Sequence, residues 1–235
     1  MATRTLSLAD TTIGKKAVMA VSGAILLGFV LVHMAGNLLV FSGPEALNSY
    51  ADGLRKLGPL LWIARAVLLG AVLAHIWAAI ALVKANDAAR PIKYQVVQPV
   101  ATTYAARTMR YGGFILLFFI LYHIAHLTFG VTVPGGHAAA PPAGMPGALA
   151  GTDVYYNVVA SFQVPWIIGV YVLAQLALCL HLYHGGWSFL QTLGFNHPRY
   201  NALRKKFAAA FATVILVGNL SMPLAIMAGV IKLPS

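Results

Sequence analysis

Five apolar runs, at about residues 17–41, 60–83, 111–131, 164–190 and 207–230, account for most of the sequence. An α-helix needs about 20 apolar residues to cross a bilayer core, and each run is long enough. With their flanking residues the runs predict helices at about 15–41, 59–84, 107–131, 156–190 and 204–230. The expected fold class is therefore an all-α integral membrane protein of five transmembrane helices. It forms a single transmembrane domain over residues 1–235. No sequence repeat of fixed period is present.

Composition agrees with that reading. The chain is 60% hydrophobic and 9% charged, where a soluble domain carries about 25% charged residues. The first run is too long for the apolar core of a signal peptide and lacks an A-x-A cleavage site at its end. Sixteen Lys and Arg face five acids, for a net charge of +11. The basic residues flank apolar runs rather than lining a soluble surface, so nucleic acid is not the expected partner. The lone Cys179 excludes an intramolecular disulfide, a C-x-x-C-H haem attachment and an iron–sulfur site within this chain.

The connecting segments differ in character. Residues 42–58 contain Gly43-Pro44, Asn48, Asp52 and Gly58-Pro59 and read as a loop with a short helix over 45–57. Residues 84–110 are basic and interrupted by Pro91 and Pro99. Residues 132–151 are rich in Gly, Pro and Ala without Lys or Arg, as in an exposed flexible loop. Residues 191–206 are polar and basic. Arg4, Lys15, Lys16, Lys84, Arg90, Lys93, Arg107, Arg110, Arg199, Arg204, Lys205 and Lys206 fall on one side of the expected membrane. Arg55, Lys56, Arg65 and Lys232 fall on the other. The positive-inside rule makes the first side cytoplasmic, with the N-terminus inside and the C-terminus outside.

Six of the eight histidines lie within apolar runs: His33, His75, His123, His126, His181 and His184. A histidine inside a membrane segment is costly and marks a functional site by default. Depth sorts them. His33 and His123 fall in the outer half of the first and third helices. His75 and His181 fall in the inner half of the second and fourth. At 1.5 Å rise per residue each is displaced by roughly 4–6 Å from the midplane, so two bis-histidine levels are separated by about 10 Å. Facing imidazoles suit a haem iron, since a neutral ring offers one nitrogen and the other can be oriented by a neighbour. The first four helices then form a haem-binding bundle. His126 and His184 each follow a proposed ligand by three residues and share its face, so either can stand in for its neighbour. Depth favours His123 and His181 and leaves His126 and His184 for a haem propionate, a second-shell role or a quinone. His137 and His197 fall in loops and read as solvated.

Other residues fit the same picture less specifically. Gly23, Gly28, Gly36, Gly112, Gly113, Gly185 and Gly186 permit close approach of helices or of a flat macrocycle, although ordinary helix packing accounts for most of them. Arg65 lies ten residues before His75, roughly 15 Å outward along the helix, where a propionate could pair with it. Trp62, Trp77, Trp166 and Trp187 suit interface belts or lipid contact.

Several motifs carry a family resemblance. Ile13-Gly-Lys-Lys-Ala-Val-Met-Ala-Val-Ser-Gly23 is followed by His33-Met-Ala-Gly-Asn37. Ala89-Arg-Pro precedes the third run. Arg107-Thr-Met-Arg-Tyr-Gly-Gly113 precedes His123. His181-x-x-x-Gly185 precedes Gln191-Thr-Leu-Gly194. Together they make the chain resemble the cytochrome b membrane anchor of succinate:quinone oxidoreductases, in its five-helix, single-subunit, two-haem form. The resemblance spans nearly the whole chain. It implies two haem b groups, a distal one held by His33 and His123 and a proximal one held by His75 and His181. Spacing from Gly113 selects His123, and spacing back from Gly194 selects His181. It also implies a flavoprotein subunit with FAD and an iron–sulfur subunit on the cytoplasmic face of a bacterial cytoplasmic membrane. The chain would be a non-flavin subunit of succinate dehydrogenase or fumarate reductase, with no succinate chemistry of its own and with menaquinone or another quinone as electron partner. The complex could form oligomers. In some two-haem fumarate reductases a glutamate stands two residues before the fourth-helix ligand. Cys179 occupies that position here, which argues against a compensating proton route of that kind.

The expected quinone site is in the outer half, where Asn37, Glu45, Tyr50, Asp52, Arg65 and His126 cluster near the distal haem. A site near Ser22, Ser188 and Gln191 at the inner ends is the runner-up. Competing functions are a haem b subunit of another quinone-linked dehydrogenase, such as a hydrogenase or formate dehydrogenase, and a histidine-lined proton pathway or transporter. Broken helices and inverted repeats would favour a transporter.

Overall fold

A computed structural model of the chain describes residues 7, 10–89, 92, 102–131 and 153–234. Arg4, Arg90, Pro91, Lys93, Pro99, His137 and the expected loop at 132–151 lie outside the described residues. Among the described residues there are helices and no strands.

The first helix, α1 (Thr12–Asn37), begins where the Thr11 hydroxyl accepts from the Gly14 N–H, and it tightens into a 3₁₀ turn over Leu38–Ser42. The short α2 (Pro44–Lys56) follows Gly43, whose φ of 95° is a conformation that a side chain would strain. It is succeeded by α3 (Pro59–Ala88) and α4 (Tyr104–His123). A π turn extends α4 over Ile124–Thr128. Then come α5 (Val154–Ser161), α6 (Pro165–Thr192) and α7 (Pro198–Met227). Proline occupies the first turn of α2, α3, α6 and α7, where its missing N–H costs nothing.

The fourth apolar segment is not one helix. The sequence predicts continuity over 156–190, but α5 ends at Ser161 and α6 starts at Pro165. Proline lacks the N–H that a continuous helix requires and pushes its predecessor out of the helical region. Val164 is accordingly extended, at φ −96° and ψ 114°.

Five helical segments are long and apolar enough to cross a membrane: Thr12–Ser42, Pro59–Ala88, Tyr104–Thr128, Pro165–Thr192 and Pro198–Met227. Their side chains are distributed as lipid demands. Ile63, Leu69, Leu73, Phe114, Phe118, Leu121 and Val217 are exposed, whereas Ser22, His126 and Gln175 are buried. Water would reverse this arrangement, because it solvates polar groups and rejects large apolar patches. This pattern and the five spans point to a multi-pass membrane protein.

α1 packs against α3 and α6, and α6 packs against α4 and α7. The C-terminal end of α3 and the N-terminal half of α4 are joined by Arg110 donating to Asp87 at 2.8 Å. The helix pairs α1/α4 and α3/α6 are not among the closely packed ones; their side chains must reach across the bundle to meet. Between α6 and α7 the Asn219 amide donates to the Gln175 carbonyl oxygen at 2.8 Å, a contact that satisfies both polar groups away from water. At the other end of the bundle the buried Asn48 of α2 donates to the buried carboxylate of Asp153 at 2.9 Å. Asp153 also caps α5 by accepting from the Tyr156 N–H, and Asn48 accepts from the Tyr155 N–H.

Candidate functional site

The bundle brings its histidines together in two places. His33 of α1 and His123 of α4 stand with ring centroids 5.8 Å apart and planes at 87°. His75 of α3 and His181 of α6 stand 6.0 Å apart with planes at 56°. The two pairs occupy different levels. On α1, Gly23 lies against His75, and His33 is ten residues further on. On α6, Tyr171 touches His123, and His181 is ten residues further on. Ten helical residues span about 15 Å.

His33 is exposed, and His75, His123 and His181 are half-buried. His126 is 0% exposed, and both of its ring nitrogens are hydrogen-bonded.

Hydrogen-bond directions can be assigned from groups that play only one role. A carbonyl oxygen only accepts. The Ser22 hydroxyl must therefore donate to the Val18 carbonyl, 2.7 Å away, and it is left to accept at its oxygen. The His75 Nδ1 atom, 3.2 Å from Ser22 Oγ, consequently carries the proton, and His75 Nε2 keeps its lone pair. At the level of His33 and His123 the Ser161 hydroxyl donates to the Asn157 carbonyl at 2.5 Å. Ser161 Oγ then accepts from His126 Nε2–H at 2.9 Å. That leaves His126 Nδ1 to accept from the Tyr171 hydroxyl, also at 2.9 Å. With its proton committed, the Tyr171 oxygen accepts from His123 Nδ1–H at 3.1 Å. In both levels, then, one histidine is fixed with Nδ1 protonated and Nε2 basic.

The π turn helps to explain this convergence. Its wider loop of backbone follows directly on His123 and carries His126, and both side chains reach the one Tyr171 hydroxyl. π turns recur at functional sites for such geometric reasons.

The spacing of each pair suits two histidines that would hold one haem iron. An imidazole nitrogen bonds a metal at about 2 Å and lies about 1 Å from its ring centroid, so two rings sharing a metal would stand about 6 Å apart. A bare ion fits poorly, because among the described residues no three His, Cys, Asp or Glu side chains converge. A haem would need only the two rings from the protein. Gly23 leaves room for one of them: a Cβ there would stand 3.3 Å from His75 Cε1. A groove of about 290 Å³ between α4 and α6 reaches His181, lined also by Thr108, Gly112 and Ala177.

No family model, curated protein or solved structure matches this chain.

The remaining sequence candidates are distributed as follows. His184 sits one turn beyond His181, edge-on to Trp187 at 5.6 Å. The Nδ1 atoms of both His181 and His184 are buried without a hydrogen-bond partner among the described residues. Arg65 is exposed and lies over Trp62, 4.8 Å from the ring centroid. Asn37 and Tyr50 are half-buried, and the Tyr50 ring packs so closely on Gly36 that a Cβ there would approach it to 2.6 Å. Asp52 is half-buried and pairs with Arg55 at 2.6 Å, while Glu45 is exposed in the first turn of α2. Among the expected cytoplasmic cations, Arg204 is buried and donates to Trp187 O and Asn196 Oδ1. His197 caps α7, its Nδ1 accepting from the Arg199 N–H. Of the small residues, Gly186 packs on Ala208, whereas a Cβ at Gly28, Gly112, Gly113 or Gly185 would meet nothing.

Sequence reasoning missed Tyr171 and Ser161. A polar stripe was there to be read: Asp153, Asn157 and Ser161 recur every four residues on one face of α5, all buried. Tyr171 offered only a hydroxyl in the middle of an apolar run.

Proposed function

We propose that this chain is the two-haem cytochrome b anchor of a succinate:quinone oxidoreductase in a bacterial cytoplasmic membrane. The observation that carries the reading is the pair of histidine contacts at two levels of one bundle, at 5.8 and 6.0 Å between rings. His33 and His123 would hold the outer haem, and His75 and His181 the inner one. When bound, the two haems supply one-electron transfer between a cytoplasmic iron–sulfur subunit and a quinone. The protein's part is to present a basic Nε2 from His75 and His123, to screen the rings from water with apolar helices, and to anchor the partners. The motif resemblance supports the flavoprotein and iron–sulfur partners, and the distribution of basic residues supports an inside N-terminus and an outside C-terminus.

We place the quinone, menaquinone by resemblance, in the outer half near Asn37, Glu45, Tyr50, Asp52 and Arg65. The close contact of Tyr50 with Gly36 brings α2 against the outer end of α1, beside the turn that holds Asn37. An inner site at Ser188 and Gln191 is less favoured, because its third member, Ser22, is committed to His75 and to its own helix.

The test is a reduced-minus-oxidised spectrum of the purified protein, with haem counted per chain and co-purifying subunits identified. Two b haems with a flavoprotein and an iron–sulfur protein are expected. Absence of reduced b-type bands refutes the reading. A different catalytic partner would assign the chain to another quinone-linked dehydrogenase.

A further inference from the structure

We propose that Tyr171 is the positioning residue of the outer pair, and that its hydroxyl, held by His126 and Ser161, fixes His123 as the Nδ1–H tautomer. The inference rests on the proposed haem function for its consequence, but not for its geometry. Free imidazole favours the other tautomer, with the proton on Nε2, which would block a metal at that nitrogen. The chain of bonds from Asn157 O through Ser161, His126 and Tyr171 to His123 has one consistent direction, because it starts at a carbonyl that can only accept. Each hydroxyl in it donates once and accepts once, each His126 ring nitrogen does one or the other, and of the ring nitrogens only His123 Nε2 keeps its lone pair uncommitted. Three elements contribute: α5 supplies Ser161, the turn after α4 supplies His126, and α6 supplies Tyr171. The break at Pro165 allows α5 to bring Ser161 beneath His126 instead of continuing the line of α6.

The inner pair is built differently. There Ser22 holds His75, through a hydroxyl bonded back into α1, together with the Met19 backbone carbonyl. The two levels can therefore be perturbed separately. A hydrogen bond donated from Nδ1–H raises the basicity of a ligating imidazole and stabilises the oxidised metal. A tyrosine that itself donates to His126 is polarised to accept more strongly. Removing it should raise the potential of the outer haem, and removing the serine that of the inner haem.

The experiment uses the full chain in detergent, with Tyr171→Phe and Ser22→Ala as the variants. Tyr171→Phe keeps the ring and deletes only the oxygen. Redox titration of the b bands should show the outer haem shifted upward in Tyr171→Phe while the inner haem stays put, with the converse in Ser22→Ala. Removing the hydrogen-bond partner of a ligating imidazole is worth on the order of tenfold in an equilibrium, which for one electron is about 59 mV. Nitrogen-15 spectra of the histidine-labelled chain supply a readout that needs no haem: His123 should be Nδ1-protonated in the wild type and lose that preference in Tyr171→Phe. Ser161→Ala should weaken the preference as well, because His126 is then free to turn its own proton toward Tyr171. If the His123 tautomer is the same with and without the Tyr171 hydroxyl, the positioning role is refuted. If no b bands are seen in the wild type, the haem reading falls, while the nitrogen spectra still decide the role of Tyr171.

Discussion

Substituting Gly23 separates binding of the inner group from stability of the helix, because the two should move in opposite directions. A Cβ at this position would lie 3.3 Å from His75 Cε1 and 3.5 Å from Nδ1. Carbon atoms pack best at about 3.5–4.0 Å, so the ring must retreat from α1 by a few tenths of an ångström. Ser22 is also on α1, and its bond to His75 Nδ1 is already 3.2 Å long, the upper end of the normal range. The same retreat stretches that bond toward breaking. Losing it costs about 0.5–1.5 kcal/mol, or up to about tenfold in affinity at the inner site. Meanwhile a glycine replaced by alanine inside a helix gains up to about 1 kcal/mol. Gly23→Ala is therefore expected to hold the inner haem about two- to tenfold more weakly in a chain that unfolds no sooner. Haem retained through a detergent wash, counted per chain, reads the first quantity. Thermal unfolding followed by circular dichroism reads the second. Gly28→Ala is the control, since Gly28 is exposed and a Cβ there meets nothing. If Gly23→Ala keeps both haems as firmly as the wild type, the close approach of His75 to α1 has no bearing on binding.

Replacing His181 by Ala should halve the haem content and spare the outer haem, whereas His184→Ala should leave both; the opposite result would move the fourth ligand to His184. Asn48→Ala leaves the buried Asp153 carboxylate and the Tyr155 N–H each short of a partner, so thermal stability should drop by about 1–3 kcal/mol for each unsatisfied group. The near-perpendicular rings of the outer pair, at 87° against 56° for the inner pair, should give the oxidised outer haem the more anisotropic low-spin paramagnetic resonance signal. Equal signals from the two haems would contradict the ring geometry.

Much of the helical layout could be read from the sequence, because a residue's place in a membrane helix maps onto depth at 1.5 Å per step. That one number groups His33 with His123 and His75 with His181, and the rings do approach in those pairs. The break between Ser161 and Pro165 was legible too, since Val164-Pro165 is a poor helix interior, but the unbroken apolar character of the run outweighed it. The widened turn after His123 leaves no mark in an apolar pattern, because π and α turns bury the same residue types. Tyr171 was hidden for a related reason. A tyrosine in a membrane segment usually sits at the interface, and only the fold reveals that this one stands between two histidines.

His123 and His126 differ by three positions and by no chemistry, so their roles are assigned by what surrounds them. A histidine with both nitrogens bonded inside the protein has nothing left for a metal, and His126 is in that condition. His123 spends one nitrogen on Tyr171 and keeps one. The same reasoning is less decisive on α6, where the Nδ1 atoms of His181 and His184 both lack partners among the described residues. There the 6.0 Å approach of His181 to His75 is what separates the two. Of the proposed ligands, His123 is thus distinguished by its hydrogen bonds and His181 by its position. Of the two assignments, that of His123 should better survive small movements of the helices, since it depends on which nitrogens are protonated rather than on tenths of an ångström.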